Sequence, residues 1–229
     1  MEKTALIAGA TGLVGSHCLD FLLNDSYYSR VVAVTRRSLT IQHPRLQEEI
    51  INFDEPEEYA DKIQADHIFC CLGTTIKKAG SQEEFRKVDY QFPLNLAKAT
   101  YRNGAQQFLV ISSIGANPRS RLFYGRTKGE MEESIKEIPF IGIQIFRPSL
   151  LIGKRNELRI GEKIAEAVFT LIKPLLLGAW RKYRPIRARD VALGMVEIAK
   201  TELKGINIFE SDQIQFFCDR ISGNRSRYI

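Results

Sequence analysis

The fold of this chain is decided by residues 4–15, which read TALIAGATGLVG. An apolar strand leads through a glycine-spaced turn into a helical pattern that runs from Leu13 to Leu23. In such a turn Gly9 permits the sharp bend, Gly12 lets the backbone approach a phosphate, and Gly15 lets the helix pack close to the strand. The helix N-terminus offers free N–H groups and a positive dipole end to the anion. The stretch therefore predicts a site for the pyrophosphate of a dinucleotide.

The order strand, glycine turn, helix is the structural context that this motif requires, which favours it over an ordinary turn with incidental glycines. We expect the cofactor to contact the following residues of the turn: Gly9, Thr11, Gly12, Leu13, Val14 and Gly15.

The bulk properties fit a single α/β domain. The chain has 229 residues and is 44% hydrophobic, but no stretch offers the roughly 20 unbroken apolar residues of a membrane span. Because the first strand begins right after Met1-Glu2-Lys3, we expect no signal or transit peptide. The four cysteines match no zinc pattern, so we expect no metal and four buried, reduced thiols in a cytoplasmic protein. They are Cys18, Cys70, Cys71 and Cys218.

The net charge of +6 raises the alternative of a polyanion partner such as nucleic acid. Part of the excess lies in residues 181–189 and part in residues 220–227. These basic residues are dispersed and lack interleaved aromatic groups, so a solvated surface with a few arginines facing cofactor phosphates is favoured. We expect no nucleic-acid partner.

Apolar runs alternate with helical patterns along the chain. Strands are predicted at residues 4–8, 31–35, 49–53, 67–71, 107–112 and 141–146. Helices are predicted at residues 13–23, 83–101 and 122–137, the second with a kink or restart at Pro93. Such alternation predicts a Rossmann-type doubly wound parallel sheet with right-handed crossovers. We expect one domain over residues 1–229, in which residues from about 148 onward form a small substrate-covering lobe.

The choice of dinucleotide depends on the end of the second strand. NAD sites of this type carry an acidic residue there, whereas this chain has Arg36 and Arg37. A guanidinium suits a phosphate dianion through paired, charge-assisted hydrogen bonds. We therefore expect NADP(H) to be preferred over NAD(H), although the two arginines could instead face water. Asp54, at the end of the third strand, is expected to meet the adenine edge.

Two further segments carry candidate chemistry. The fifth strand ends at Ser112-Ser113, and Tyr124 and Lys128 lie one turn apart on a following helix. A nearby ammonium favours the phenolate and lowers the pKa of a tyrosine, which makes it usable as a general acid or base. A serine hydroxyl can hydrogen-bond a substrate carbonyl at the same edge of the sheet. The alternative is a helix-start aromatic residue beside a solvated lysine.

In these motifs the chain resembles the short-chain dehydrogenases/reductases, and more narrowly their atypical, extended-type branch. Within that branch it is most similar to the bacterial relatives of the human Tat-interacting tumour-suppressor oxidoreductase. The resemblance covers essentially the whole chain. The narrower match rests on the segments CLGTT at 71–75, FRKVDY at 85–90, YGRTKGE at 124–130 and FRPS at 146–149.

The resemblance implies roles for matching positions. Tyr124 would be the catalytic acid/base, Lys128 would hold the nicotinamide ribose and depress the tyrosine pKa, and Ser113 would bind the substrate oxygen. Many extended relatives carry Asn where this chain has Asp89, and an aspartate has no amide to donate. Further cofactor contacts are implied for Leu72, Gly73 and Thr74 after the fourth strand, and for Pro148 and Ser149 after the sixth.

The C-terminal third holds a conspicuously apolar segment at residues 165–180. It could be core, a lid over the substrate, a dimer surface or a membrane-surface helix. Asp190 lies in the segment RDVA at 189–192, which resembles the segment of extended relatives that returns to the sheet beside the active site. We expect Asp190 to cap a helix there.

Together these observations predict an NADP(H)-dependent oxidoreductase that transfers a hydride to or from a small carbonyl or alcohol. The alternatives are an NADPH-binding regulatory or assembly protein without turnover and, ranked lower, a nucleotide-sugar epimerase or dehydratase. The substrate, the reaction direction, and the choice between monomer and homodimer are not given by the sequence.

Overall fold

The computed structural model describes residues 2–153 and 178–225. The strands in this part of the chain are β1 (Lys3–Ala8), β2 (Tyr28–Thr35), β3 (Leu46–Ile50), β4 (His67–Cys70), β5 (Gln107–Ile111), β6 (Gly142–Arg147), β7 (Leu151–Ile152), β8 (Ile186–Arg187) and β9 (Gly205–Glu210). Seven of them form one parallel sheet in the order β3-β2-β1-β4-β5-β6-β9. The other two, β7 and β8, form a small separate parallel pair.

Helices connect the strands. They are α1 (Gly15–Asn24), α2 (Pro56–Tyr59), α3 (Ile76–Ala79), α4 (Gln82–Arg86), α5 (Phe92–Arg102), α6 (Phe123–Lys136), α7 (Ala188–Lys200) and α8 (Ser211–Arg225). A π-helical turn spans Lys87–Gln91, and 3₁₀ turns span Ala60–Lys62 and Gly178–Tyr183. In the described part of the chain, no helix has the length and apolar character to cross a membrane.

The helices cover both faces of the sheet. Because strand side chains alternate between faces, Ala5 and Ile7 of β1 pack toward α1 and α7, whereas Leu6 and Ala8 pack toward α5 and α6. Each face therefore has its own apolar cluster. The Rossmann-type doubly wound parallel sheet predicted from the sequence is confirmed.

The long helical pattern of residues 83–101 is broken where a restart was predicted. The chain passes from α4 through the π-turn Lys87–Gln91 into α5, and Pro93 stands in the first turn of α5. A proline is tolerated there because the first N–H groups of a helix have no intrahelical partner. The π-turn directs the side chain of Asp89 into the interior, where it is 1% exposed.

Two local predictions were wrong, and one strand was missed. The third strand is Leu46–Ile50 rather than residues 49–53, because it is an edge strand whose half-exposed side chains are largely polar. Asp190 does not cap a helix: α7 begins at Ala188, and Asp190 lies within its first turn. The strand β9 was not predicted, although it pairs with β6 along its full length.

The predictions for the apolar segment 165–180 concern mainly residues 165–177, which lie outside the described residues. The last three residues of the segment belong to the 3₁₀ turn Gly178–Tyr183, in which Trp180 is 64% exposed.

Candidate functional site

The glycine turn between β1 and α1 has a geometry that side chains would prevent. Gly9 has φ +86°, and a Cβ on it would lie 2.5 Å from the carbonyl oxygen of Cys71. A Cβ on Gly15 would lie 2.0 Å from the carbonyl oxygen of Gly9. The turn is closed by the amide of Gly12, which donates to Gly9 at 2.9 Å. The two outer glycines thus bring the start of α1 against the end of β4.

The start of α1 is open to an anion. Among the described residues, the amides of Leu13, Val14 and Gly15 donate to no backbone carbonyl, no side chain caps the helix, and its first turn has no acidic residue. Thr11 is exposed beside them. Free N–H groups at the positive end of a helix are what a phosphate requires.

Arg36 and Arg37 follow directly on the last residue of β2, and both are exposed. Within the described part of the chain, neither guanidinium has a carboxylate partner. They therefore remain available for a phosphate. Asp54 lies beyond the end of β3, in the turn before α2, and its Oδ1 pairs with Nζ of Lys87 at 3.1 Å.

The candidate catalytic groups come from β5 and α6. Ser113 follows the end of β5, and its buried Oγ has no hydrogen-bond partner among the described residues. Tyr124 is in the first turn of α6 and is 39% exposed, whereas Lys128, one turn later, is buried. α6 can lie close to the loop after β5 because residue 129 is a glycine. A Cβ at this position would lie 2.3 Å from the backbone of Asn117. The helix thus holds an exposed phenol in its first turn and a buried ammonium one turn later.

Lys128 has a buried carboxylate partner in Asp89. Nζ lies 2.8 Å from Oδ1 of Asp89, with the two side chains 4% and 1% exposed, and 3.4 Å from the carbonyl oxygen of Ile111. Oδ2 of Asp89 accepts the backbone N–H of Thr74 at 2.8 Å. Burial works against the ammonium, but the charges of Asp89 and Tyr124 outweigh it, so the pKa of Lys128 is raised above its ordinary value. The sequence left the role of Asp89 open, because nothing local marks its partners.

Ser112, the neighbour of Ser113, is engaged elsewhere. Its Oγ donates a hydrogen bond to the carboxylate of Glu132 on α6, which is fully buried. Oε1 of Glu132 also accepts a hydrogen bond from Nε of Arg147 at 2.9 Å. The hydrogen bonds to Glu132 raise the pKa of Arg147. This network joins β5, α6 and β6, and it leaves Ser113 as the member of the serine pair with a free hydroxyl. Sequence reasoning missed Glu132, since its partners are distant in the chain.

The residues after β4 and β6 complete the edge. Leu72, Gly73 and Thr74 follow β4, and a Cβ on Gly73 would lie 3.4 Å from Asp89 and 3.9 Å from Lys128. After β6, the carbonyl oxygen of Pro148 accepts the N–H of Ile114 at 3.0 Å. Ser149 is held through its amide, which donates to Ser211 at 2.7 Å.

Every predicted site residue thus follows the carboxyl end of one of the strands β1 to β6 or lies on α6. Ligands of open α/β sheets bind at this edge, where the strand order reverses between β1 and β4. The residues fit a dinucleotide. The glycine turn leaves room for phosphates beside the start of α1, two exposed arginines follow β2, and a buried lysine lies on α6. As far as the described residues show, the amides of residues 13–15, the two guanidiniums and the hydroxyl of Ser113 have no partner that would compete with a cofactor.

Fold and site together define an NAD(P)-binding Rossmann protein of the short-chain dehydrogenase/reductase type. The chain belongs to the NAD dependent epimerase/dehydratase family, whose model matches residues 5–205. This confirms the relation inferred from the sequence motifs.

Named relatives agree with this assignment. The chain is 35% identical to Protein HTATIP2 of Rattus norvegicus over 172 residues, which is 73% of this chain and 71% of that protein. It is 34% identical to the mitochondrial protein FMP52 of Lodderomyces elongisporus over 219 residues, or 90% of each chain. Among solved structures, MoeE5 in complex with UDP-glucose and NAD superposes with a TM-score of 0.69 at 18% identity, covering 96% of this chain and 82% of that one. This structural likeness supports the fold.

Proposed function

We propose that the chain is an NADP(H)-dependent oxidoreductase that transfers a hydride to or from a small carbonyl or alcohol substrate. The observation that carries the proposal is that three candidate groups follow the carboxyl end of β5, one in the loop after it and two on α6. They are the hydroxyl of Ser113, which has no hydrogen-bond partner among the described residues, the partly exposed phenol of Tyr124, and the buried ammonium of Lys128. A protein that only sensed the cofactor would need no acid–base group.

The roles follow from the chemistry of these groups. NADPH, when bound, supplies the hydride. Ser113 would donate a hydrogen bond to the substrate oxygen, and Tyr124 would give that oxygen its proton in reduction or accept it in oxidation. Lys128 would keep positive charge near the phenol and hold the nicotinamide ribose. Thr74 and Gly73 would line the cofactor opposite Lys128.

The preference for NADP(H) rests on Arg36 and Arg37. Each guanidinium can form charge-assisted hydrogen bonds with a 2′-phosphate, which are worth about 1.5–3 kcal/mol each. Both side chains are exposed, so solvent screens them and the lower end of that range applies.

The cofactor part is tested by titrating the protein with NADPH and NADH, following nicotinamide fluorescence. Replacing both residues, Arg36→Ala with Arg37→Ala, should weaken NADPH binding by about tenfold or more and change NADH binding by about twofold at most. The matched control is Lys98→Ala with Arg102→Ala, which removes the same charge from the exposed face of α5. Equal losses for the two cofactors, or equal effects of the two double variants, would contradict the assignment.

The oxidoreductase part is tested by following NADPH consumption with a panel of small aldehydes and ketones. Consumption that depends on substrate supports the proposal. Because the family includes epimerases and dehydratases, the panel also holds nucleotide sugars. Their conversion without net NADPH consumption would replace the proposal with the epimerase alternative, and NADPH binding without any conversion would favour a regulatory protein.

A further inference from the structure

The carboxylate of Asp89 is placed between two hydrogen-bond donors. Oδ1 faces the ammonium of Lys128 and Oδ2 faces the backbone N–H of Thr74, both at 2.8 Å. Both partners are donors, so both atoms facing them must be acceptors. A carboxylate meets this condition, whereas an asparagine amide would place its own NH₂ against a donor. The geometry therefore requires an aspartate where many extended relatives have Asn.

The position of Asp89 is fixed by the backbone. It lies in the π-turn Lys87–Gln91, whose extra residue per turn directs the side chain between α6 and the loop after β4. There it contacts at once a residue of the candidate catalytic helix and a residue of the candidate cofactor loop. A buried carboxylate in this place fixes the separation between Lys128 and Thr74.

We propose that Asp89 is a positioning residue of the active site. It holds Lys128 against the loop after β4, and its negative charge offsets the positive charge that the Tyr124–Lys128 pair carries. The inference rests on the oxidoreductase proposed above, in which that pair handles the proton of the substrate. In this arrangement Lys128 does not act on Tyr124 as a lone cation, because a buried negative charge offsets it at 2.8 Å.

A nearby negative charge stabilises the ammonium of Lys128 and disfavours the phenolate of Tyr124. While Lys128 keeps its proton, removing that charge therefore makes the phenolate easier to form. When Lys128 is replaced by an apolar residue, the charge of Asp89 acts on Tyr124 alone.

Other charged groups on the elements around the pair have partners of their own or are exposed. Burial raises the pKa of Cys70 to about 12, so that thiol remains neutral. Arg86 pairs with Glu130, and Lys87 with Asp54. Among the remaining charged residues on the surrounding elements, Lys77 and Lys78 of α3 are exposed. Arg126 of α6 donates to the carbonyl oxygen of Ser120, and Glu132 of α6 forms an ion pair with Arg147.

The test is an ultraviolet titration of phenolate formation. The contribution of Tyr124 is obtained by subtracting the curve of Tyr124→Phe from that of the wild type, because the chain has eight tyrosines. In the Asp89→Asn background, with its own Tyr124→Phe reference, we expect the midpoint to fall by about one pH unit or more. The matched control is Glu130→Gln, which removes a carboxylate that pairs with Arg86 on the outside of the same helix. Its midpoint should stay at the wild-type value.

Two further variants keep the test informative if Asp89→Asn does not fold. Lys128→Met should raise the midpoint, because it leaves Asp89 as an uncompensated negative charge. The double variant Asp89→Asn with Lys128→Met removes both charges, which a folded core tolerates better than a broken pair. Its midpoint should return toward the wild-type value.

The proposal is overturned if Asp89→Asn raises the midpoint, or if Lys128→Met and the double variant, which differ only in the charge of Asp89, share one midpoint. These results are independent of turnover. Failure to bind NADPH would remove the proposed function while leaving the titration readable, and a shared midpoint of the two Lys128 variants beside a wild type that binds and oxidises NADPH would remove only the role of Asp89.

Discussion

Acid stability should depend on one buried histidine, His67, at the start of β4. Its ring is fully buried, and its Nδ1 lies 2.9 Å from the hydroxyl of Tyr28. Its Nε2 has no hydrogen-bond partner among the described residues. Burial, assisted by the charge of Lys3, lowers the pKa of His67 from 6.5 to about 4, against a weaker opposing effect of Glu202. The folded protein therefore holds this imidazole neutral.

The sign of the pH dependence follows from this lowered pKa. Between pH 6.5 and about 4 the unfolded chain binds a proton at His67 that the folded chain does not, so stability is lost as the pH falls through this window. A pKa difference of this size corresponds to about 3 kcal/mol of unfolding free energy. Above pH 6.5 the histidine is neutral in both states and has no effect on the slope.

Urea unfolding of the wild type and of His67→Gln, at several values of pH across this window, measures the effect. Glutamine offers an acceptor to the Tyr28 hydroxyl but does not titrate. We expect the wild type to lose about 3 kcal/mol more than the variant between neutral pH and pH 4. His17→Gln, on the partly exposed face of α1, is the control and should follow the wild-type curve. Parallel curves for the wild type and His67→Gln would refute the reasoning.

Two further substitutions test the network beneath the site and the site itself. Glu132→Ala should lower the free energy of unfolding in urea by about 3–5 kcal/mol, because it leaves the guanidinium of Arg147 without its buried partner. The control Glu133→Ala, at an exposed neighbouring position, should lower it by less than about 1 kcal/mol. Similar losses for the two variants would contradict the role of Glu132. Tyr124→Phe should keep the wild-type affinity for NADPH and lower turnover by about a hundredfold or more, so a kcat near the wild-type value would remove Tyr124 from the mechanism.

The parts of the fold that the sequence predicts well are those with strong local signals. The inner strands are largely apolar because both faces of the sheet are covered, and β4 is fully buried along its length. The glycine turn is also predicted well. Each of its glycines is required by a close contact with backbone atoms a few residues away or at the end of β4. Edge strands lack this signal. β3 and β9 are only partly buried, so their boundaries or existence were missed.

For the candidate site, the residues could be predicted from the sequence but most of their contacts could not. Residues that stand at strand ends, such as Arg36 and Ser113, were identified because parallel strands bring their carboxyl ends to one edge. The contacts between these residues were not. Asp89 reaches Lys128 through a π-turn that no local pattern marks, and Glu132 reaches Arg147 across 15 residues of chain. Such contacts depend on how the helices pack, which a single sequence does not state.

These hidden contacts determine how the visible motif can act. Ser112 and Ser113 are indistinguishable as a sequence pair, yet one hydroxyl donates to Glu132 whereas the other has no hydrogen-bond partner in the part of the chain that the structure describes. Lys128 looks like a cation that acts on Tyr124, yet it is half of a buried ion pair. Since a buried charge is stabilised by partners that match it, each candidate catalytic group has an electrostatic environment that its neighbours determine. The motif therefore specifies which groups follow the strand ends, whereas the partners packed around it determine which of these groups are already engaged in hydrogen bonds or ion pairs.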